Sequence, residues 1–171
     1  MNKQENRLPR MSNNGKKVSE SSTTLVRLMM PNDANPSGNV FGGTILKLMD
    51  EVGSIVAFKH TRMNVVTASV DRMNFFAPVF VGNLITLKSS VNYVGHTSME
   101  IGVRIEATDL KTGKTTHTGS CFLTYVALDS KGKPTPVPKI IPETAEEKRR
   151  YRQAIARRKL REAEIEALES G

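Results

Sequence analysis

Glycines at the start of a predicted helix are the feature of this sequence that most directly suggests chemistry. Segment 35–54 reads NPSGNVFGGTILKLMDEVGS, and apolar residues take helical spacing from Gly42 onward. The first turn of a helix has unpaired N–H groups and positive partial charge. Because Gly42 and Gly43 have no Cβ, another molecule can approach that backbone closely. The pattern fits binding of an oxyanion or a phosphate, and it equally fits a tight turn before the helix.

Asp50 places a carboxylate on the same predicted helix. It lies seven residues after Gly43. At about 100° per residue, this spacing returns Asp50 to nearly the same angle, about 10 Å further along the axis. At that distance the carboxylate cannot act on an atom held by the Gly43 N–H of its own helix. If both groups act on one substrate they come from two chains; otherwise Asp50 is a solvent-exposed carboxylate, as we expect for Glu51.

Asn39 stands just before the helix and has two interpretations. An asparagine at this place commonly caps the helix or closes an Asx-turn. Alternatively, its amide orients a water molecule or a substrate carbonyl. The neighbours of Asp50 on its helix face are small, which suits a face that another backbone approaches: Gly43, Gly53, Ser54 and Ala57. The residues alone therefore indicate a candidate anion or oxyanion site and leave its ligand open.

The hydrophobic pattern predicts the elements that position these residues. One apolar stripe predicts a helix from Gly42 to about Lys59. The stripe consists of Ile45, Leu48, Met49, Val52, Ile55 and Val56. Strands are predicted at 23–30, 64–75, 84–94, 99–107 and 116–128, the last four joined by hairpins. Hairpin loops are too short for parallel crossovers, so we predict an α+β fold in which the helix packs on the concave face of an antiparallel sheet.

Charge and composition divide the chain into four segments. We predict a disordered basic tail at 1–22, a folded domain at 23–130, a Pro-rich linker at 131–143 and a charged C-terminal helix at 144–171. The formal net charge is +8, of which residues 1–20 and 146–166 contribute +3 each. Because the middle of the chain is nearly neutral, we do not expect a nucleic-acid partner.

Cysteine content and hydropathy indicate the compartment. Cys121 is the single cysteine and cannot form an internal disulfide, which favours a reducing cytoplasm. Its strand is apolar, so we predict a core residue and not a nucleophile. No apolar run is long enough to span a membrane, and the polar N-terminal segment lacks a signal-peptide pattern, so we expect no membrane insertion. No residue spacing is typical of a metal site, and none is predicted.

Several segments, taken in order, closely resemble one family. PNDANPSGNVFGGTILKLMDEVGS is followed by VVTASVD and then by GHTSMEI. This series is similar to the hot-dog-fold acyl-CoA thioesterases of the YciA and brain acyl-CoA hydrolase type, over about residues 23–160. The resemblance implies a long central helix wrapped by an antiparallel sheet. It also implies a homo-oligomer, in which two protomers join their sheets edge to edge and dimers commonly assemble as a trimer of dimers.

The resemblance also implies a reaction, the hydrolysis of an acyl-CoA thioester to a fatty acid and free CoA. Asn39 and Asp50 fall on the catalytic residues of the family, contributed by opposite subunits. The N–H of Gly42 or Gly43 would polarise the thioester carbonyl. Asp50 would act as general base on a water molecule or as nucleophile through an anhydride, and the sequence does not separate these. No cofactor is implied, because CoA enters only as part of substrate and product.

The same resemblance implies residues that contact CoA. Strand backbone would line the pantetheine path, a turn would contact the nucleotide end, and the basic helix would supply charge for the phosphates. These residues are Val65, Val66 and Thr67; Val94, Gly95, His96 and Thr97; and Arg157. Charged helices match one another easily, so a solvent-exposed Arg157 remains an equal alternative.

Three other functions are compatible with parts of the sequence. A non-catalytic hot-dog module would bind acyl-CoA as a sensor, although both Asn39 and Asp50 are present. A dehydratase of this fold usually needs a histidine near the helix start, and residues 1–59 contain none. An RNA-binding or membrane-surface protein would use the two basic tails. The thioesterase interpretation accounts for more of the sequence than these alternatives.

Overall fold

The apolar stripe after Gly42 forms a long helix against a five-stranded sheet. The computed structural model describes residues 15–169. Its strands are β1 Lys16–Lys17, β2 Thr23–Leu28, β3 Asn64–Phe75, β4 Asn83–Val94, β5 Ser98–Asp109, β6 Thr115–Leu128 and β7 Ile140–Ile141. Its α-helices are α1 Gly42–Thr61 and α2 Ala145–Glu169, and two 3-10 helices span Val18–Glu20 and Pro31–Asp33.

The predicted α+β architecture is confirmed. Every predicted strand is present, and the bounds predicted for β3 agree with the structure. Helix α1 contacts β2, β3, β4, β5 and β6 and buries most of its stripe between itself and the sheet. Ile55 is the exception, because its side chain is 43% exposed. The apolar period therefore located the helix correctly and placed one residue on the wrong face.

Strand order corrects one part of the predicted connectivity. The sheet has the order β2-β4-β5-β6-β3, and all its pairs are antiparallel. Hairpins join β4 to β5 and β5 to β6, as predicted. The prediction that a hairpin also joins β3 to β4 is wrong, because β3 pairs with β6 at the opposite side of the sheet. The chain therefore crosses the end of the sheet after β3.

Strand β3 forms one edge of the sheet. Within residues 15–169 it pairs with β6 alone, and register shifts interrupt the pairing at Thr67/Ser69 and Val70/Arg72. Val66 and Val70 on this strand are 43% and 50% exposed. An exposed edge strand presents unpaired backbone groups that can pair with another chain. In this protein the edge strand lies beside the face of α1 that carries Asp50, because Thr67 on β3 contacts Asp50.

The segments at either end of the sheet domain pack on its body. The prediction of a disordered tail is wrong for residues 15–22, because β1 pairs in parallel with β7 and the side chain of Ser21 is fully buried. Residues 1–14 of that predicted tail lie outside the described residues. The predicted linker at 131–143 contains β7 and the buried Val137. It is therefore a strap against the C-terminal end of α1 and not a free connection.

A buried ion pair fastens α2 to the sheet. Glu100 on β5 has a side chain only 1% exposed, and it accepts hydrogen bonds from the Arg157 guanidinium at 2.7 and 3.1 Å. Asn92 Nδ2 donates to the same carboxylate at 3.1 Å. The guanidinium also lies 3.7 Å from the centre of the Phe122 ring. Each charge is thus paired, as a buried carboxylate requires.

Neither helix in residues 15–169 is long and apolar enough to cross a membrane.

His60 is a titratable group buried beneath the strap. Its side chain is fully buried, and Nε2 lies 2.9 Å from the Pro138 carbonyl oxygen, so this nitrogen carries the proton that is donated. Nδ1 is buried without a hydrogen-bond partner among the described residues. Burial lowers the pKa of His60, and the nearby Lys16 ammonium lowers it further. The neutral imidazole is therefore the form that the fold accepts.

We expect His60 to make stability depend on pH. In the unfolded chain His60 has its ordinary pKa of 6.5 and binds a proton as the pH falls through that value. In the folded chain its pKa is lower, so His60 stays neutral until the pH falls further. The unfolded state therefore binds more protons, and the free energy of unfolding falls as pH drops below about 6.5. Urea denaturation at pH 7.5 and 5.5, at one protein concentration, should show a smaller pH dependence for His60→Gln than for wild type. Equal pH dependence in both proteins would contradict this account.

Candidate active site

The loop before α1 is built around Asn35. Its side-chain Oδ1 accepts hydrogen bonds from the backbone N–H of Ser37 at 2.9 Å and of Asn39 at 3.2 Å. The Asn35 N–H donates to the Asn39 carbonyl at 2.7 Å, and Gly38 takes a φ of 82°. Asn35, and not Asn39, therefore closes the Asx-turn that the sequence suggested in this loop. Asn39 also forms a backbone bridge with Phe80.

Helix α1 begins without a side-chain cap. Its N-cap residue is Phe41, which makes no side-chain capping hydrogen bond, and the Thr44 N–H donates back to the Phe41 carbonyl at 3.0 Å. The N–H groups of Gly42 and Gly43 come before the first residue that can bond within the helix. A Cβ on Gly43 would lie 2.6 Å from the Phe41 ring, so Gly43 allows this aromatic side chain to lie over the helix start.

A cavity opens at this helix start. It has a volume of about 410 Å³ and combines two polar side chains and the backbone of Gly42 with apolar walls. The polar side chains are those of Asn35 and Asn39, and the apolar walls include Ile45, Phe75, Phe76 and Val79. The structure thus brings Asn39 and Gly42 together, as predicted, and adds Asn35. A polar end with N–H donors beside an apolar chamber suits a carbonyl group attached to a hydrocarbon chain.

Asp50 lies on α1 about two turns after the helix start, and neighbouring strands hold its side chain. Its Oδ1 accepts a hydrogen bond from Thr67 Oγ1 at 2.6 Å. The Tyr125 hydroxyl donates to the same oxygen and to the Asp50 backbone carbonyl, each at 2.9 Å. Two strands, β3 and β6, therefore fix the orientation of a carboxylate that is itself exposed.

Gly53 makes the contact between Tyr125 and Asp50 possible. A Cβ built on Gly53 would lie 2.5 Å from the Tyr125 hydroxyl and 3.1 Å from the ring carbon atoms beside it. The small face around Asp50 was expected to admit another backbone. Instead it admits the ring of Tyr125, which lies in the core at 0% exposure.

The titration behaviour of the surrounding groups assigns their roles. Burial, followed by the hydrogen bond to Asp50, raises the pKa of Tyr125, so its hydroxyl stays protonated and donates. Burial raises the pKa of the Cys121 thiol to about 12. A thiol that stays protonated is not a nucleophile. The interpretation of Cys121 as a core residue is consistent with its 0% exposure.

Within one chain, the start of α1 and the Asp50 carboxylate do not meet. The cavity that contains Asn39 and Gly42 is not lined by Asp50. The N–H groups of Gly42 and Gly43 and the carboxylate of Asp50 belong to one rigid helix, eight and seven residues apart and about 10 to 12 Å along its axis. A substrate that needs both an N–H donor and the carboxylate must therefore use a helix start from a second chain.

The residues predicted to contact CoA lie in two places. Val65, Val66 and Thr67 follow one another on the edge strand β3, with Val66 43% exposed. The turn 94–97 joins β4 to β5 and is closed by a hydrogen bond from the Gly95 N–H to the Ser98 carbonyl at 2.8 Å. His96 in this turn is exposed.

The arginine beside that turn is Arg158. Its guanidinium contacts Gly95 so closely that a Cβ at Gly95 would collide with it. The same guanidinium donates to the Tyr93 hydroxyl at 3.2 Å and lies 5.5 Å from the centre of the Tyr93 ring. The predicted contact residue, Arg157, lies one position earlier and is paired with Glu100.

Sequence reasoning missed the partners of Asp50 and the arginine beside the turn. Tyr125 carried a usable signal, since a tyrosine at an inward position of an apolar strand needs a partner for its hydroxyl. Thr67 was named only as part of a CoA path. Arg157 and Arg158 could not be told apart from the sequence, because a highly charged helix has no apolar stripe to show which side faces the sheet.

Within residues 15–169, no group of three or more potential ligands could hold a metal ion.

Comparison with known proteins gives consistent matches. The profile of a family described as the thioesterase superfamily matches residues 37–114. A Bacillus subtilis protein named uncharacterized acyl-CoA thioester hydrolase YkhA is 39% identical over 152 residues, which are 87% of this chain and 88% of that protein. A crystal structure described as an apo-hexameric acyl-CoA thioesterase is 42% identical with a TM-score of 0.85, and the match covers 88% of this chain and 97% of that one.

An acyl-CoA hydrolase from Staphylococcus aureus provides a comparison with bound ligands. It was solved with butyryl-CoA, CoA and CoA disulfide, and it is 38% identical with a TM-score of 0.84 over 91% of this chain and 95% of that one. Three alanine variants of that enzyme were also solved, at an aspartate, an asparagine and a threonine. In that chain the asparagine precedes the aspartate and the threonine follows it.

Proposed function

This chain belongs to the thioesterase superfamily and has its hot-dog fold, and on that premise we propose that it hydrolyses acyl-CoA thioesters to a carboxylic acid and free CoA. The observation that carries the proposal is the carboxylate of Asp50, which Thr67 and Tyr125 hold beside an exposed edge strand. A fixed and accessible carboxylate next to a strand that can guide a thiol arm is what thioester hydrolysis requires.

Asp50 supplies the reacting oxygen in this proposal. Within residues 15–169 the hydrogen bonds from Thr67 and Tyr125 both go to Oδ1, which leaves Oδ2 to react. Oδ2 either removes a proton from the water that attacks the thioester carbonyl, or it attacks that carbonyl itself. In the second route the C–S bond breaks, CoA leaves as the thiolate, and water then hydrolyses the resulting anhydride to release the acid and regenerate Asp50. In both routes the two donors keep the carboxylate aimed at one point.

The helix start of a second protomer supplies the oxyanion donors. The N–H groups of Gly42 and Gly43 polarise the thioester carbonyl and stabilise the negative charge that develops on it. The apolar cavity behind them takes the first part of the acyl chain. Asn39 and Asn35 both line that cavity and are both candidates for the amide that orients the carbonyl or the water.

Residue spacing favours Asn35 as the catalytic asparagine. The interval from Asn35 to Asp50 equals the interval from the substituted asparagine to the substituted aspartate in the Staphylococcus aureus enzyme. The interval from Asp50 to Thr67 likewise equals the interval from that aspartate to the substituted threonine. Asn39 lies closer to Asp50 and has no such match. The hydrogen bonds that organise the loop use Oδ1 of Asn35, so its amide Nδ2 is the group that would donate to the substrate.

We propose a homo-oligomer because the start of α1 and the Asp50 carboxylate of one chain are too far apart to act on one substrate. The exposed edge of β3 offers backbone groups that pair with the same edge of a second copy. Such pairing brings the helix start of one protomer toward Asp50 of the other. A similar protein is described as hexameric, and we propose a trimer of such dimers.

The proposed enzyme needs no cofactor and acts in the cytoplasm. Its proposed partners are acyl-CoA and other copies of the same chain, and nucleic acid is not among them.

CoA extends from Asp50 along the edge strand to the β4–β5 turn. Val65, Val66 and Thr67 line the path of the pantetheine arm, and the turn from Val94 to Thr97 takes the nucleotide end. Arg158 and not Arg157 supplies phosphate charge there, because Arg158 lies against Gly95 and its ion pair with Glu162 is at the surface, whereas Arg157 is paired with the buried Glu100.

We expect Asp50→Asn to abolish turnover and Asn35→Ala to reduce it more than Asn39→Ala does. Loss of the base costs about 10²–10⁴-fold, and loss of one carbonyl donor costs about a hundredfold. Thiol release with a colorimetric reagent, over short to long acyl-CoAs, measures all three variants and gives the chain-length preference. Acyl-CoA binding by wild type without turnover would instead indicate a sensor.

Gly53→Ala tests the positioning of Asp50. The new methyl group would displace the Tyr125 hydroxyl, so we expect kcat to fall about tenfold, the cost of a hydrogen bond to a charged group, with KM little changed. The methyl group also crowds the buried Tyr125 ring, which costs stability, so kcat is compared at a temperature at which the variant is fully folded. Ser54→Ala is the matched control, because within residues 15–169 the Ser54 hydroxyl donates to the Glu51 carbonyl and makes no hydrogen bond to Asp50 or Tyr125. A normal kcat in Gly53→Ala would refute the positioning role.

Substitution of two neighbouring arginines should separate binding from stability. Arg158→Ala should raise KM for acyl-CoA about tenfold, through loss of a charged hydrogen bond to phosphate. It should leave the kinetics with acyl-pantetheine, which lacks the nucleotide, unchanged. Arg157→Ala should instead lower the free energy of unfolding by about 3 kcal/mol, because the buried Glu100 carboxylate loses its closest cation and keeps the more distant Arg161, 3.8 Å away. A nucleotide-dependent KM effect in Arg157→Ala alone would reverse the assignment.

A further inference from the structure

The first half of α2 and the outward face of the sheet enclose a second basic site. We call it the basic groove, defined by Lys88, Arg104, Arg149 and Arg150. It has a volume of about 240 Å³, and Asn92, Ser120 and Gln153 are among the polar residues that also line it. A neighbouring depression shares Lys88, Arg104 and Arg150 with the groove and adds the carboxylate of Glu147 and five hydroxyl side chains, those of Ser22, Thr23, Thr24, Ser89 and Ser90.

Cations outnumber carboxylates on each wall of the groove. On the sheet wall, Glu106 is shared between Lys88 at 2.7 Å and Arg104 at 2.8 Å. On the helix wall, Glu146 is shared between Arg149 at 2.6 Å and Arg150 at 2.9 Å. Arg157 also lines the groove, but Glu100 neutralises it. Each wall therefore carries one positive charge in excess, and the two excess charges face a common space.

The groove is separate from the site proposed for the nucleotide of CoA. The cavity beside the β4–β5 turn is lined by Tyr93, Arg158 and Arg161 among others, and it shares no lining residue with the groove. Arg150 and Arg158 are eight residues apart on α2, which is about 12 Å along the helix axis. An anion in the groove therefore does not compete for the charge beside the turn.

We infer that the basic groove binds a small phosphorylated anion with at least two negative charges. Guanidinium groups match phosphate oxygens with paired N–H donors, and three arginines stand on the two walls. A monovalent anion would satisfy one wall only. A dianion or pyrophosphate group satisfies both walls and so joins α2 to the sheet. The Arg150 guanidinium already approaches the sheet, with Ser90 Oγ 3.5 Å away.

Isothermal titration with inorganic pyrophosphate tests the inference, at an ionic strength held constant with sodium chloride. With saturating CoA present to fill the site beside Arg158, we expect one pyrophosphate per protomer in wild type. The double variant Arg104→Gln/Arg150→Gln removes one cation from each wall and should bind at least about tenfold more weakly, as expected for charged hydrogen bonds. Lys88→Gln, at a half-exposed side chain, is a second variant that should fold normally and also weaken binding.

Two controls make the result decisive. Arg158→Gln, outside the groove, should bind pyrophosphate as wild type does, and saturating CoA should leave pyrophosphate binding in place. Unchanged affinity in both groove variants would overturn the inference. It would also be overturned if Arg158→Gln or CoA abolished the binding, since pyrophosphate would then occupy the nucleotide site. The titration does not measure turnover, so its outcome is independent of the proposed hydrolase activity.

Discussion

The hydrogen bond from Tyr125 to Asp50 is the interaction on which the candidate site depends. It joins a buried strand to an exposed position of α1, and it exists only because Gly53 leaves room for the phenol ring. Helix and sheet are thereby locked in one relative rotation, with the carboxylate as the meeting point. The same contact serves packing and chemistry, because a phenol whose pKa is raised by burial is a dependable donor.

A rigid helix also determines the assembly that the proposed site needs. The donors at the start of α1 and the carboxylate two turns later cannot approach each other, whatever the side chains do. One chain therefore carries two halves of two different sites. The exposed edge of β3, with its interrupted register, lies beside the Asp50 half. The proposed site therefore needs both the long helix and an edge strand that a second chain can pair with.

Much of the architecture could be predicted from the sequence because local periodicity specifies it. Alternation defined β3 to β6, and the stripe after Gly42 defined α1. The crossing from β3 to β4 could not be read, since a loop that turns back and a loop that crosses the sheet have similar compositions. Asn35 and Asn39 are both asparagines in a turn-rich loop, and only the hydrogen bonds show which one closes the turn. Residues 15–22 looked like a tail because the residues that pair with them, at 139–141, lie more than a hundred positions away.

Arg157 and Arg158 differ in their contacts although they are adjacent in the chain. One is turned inward to Glu100 and the other lies against Gly95, because consecutive residues on a helix point about 100° apart. A single-residue insertion or deletion earlier in α2 would rotate everything beyond it by that angle and exchange these positions. We therefore expect related sequences to vary more in the composition of the segment between the strap and Arg157 than in its length. In this segment, the positions of insertions and deletions should reveal selection more clearly than substitutions do.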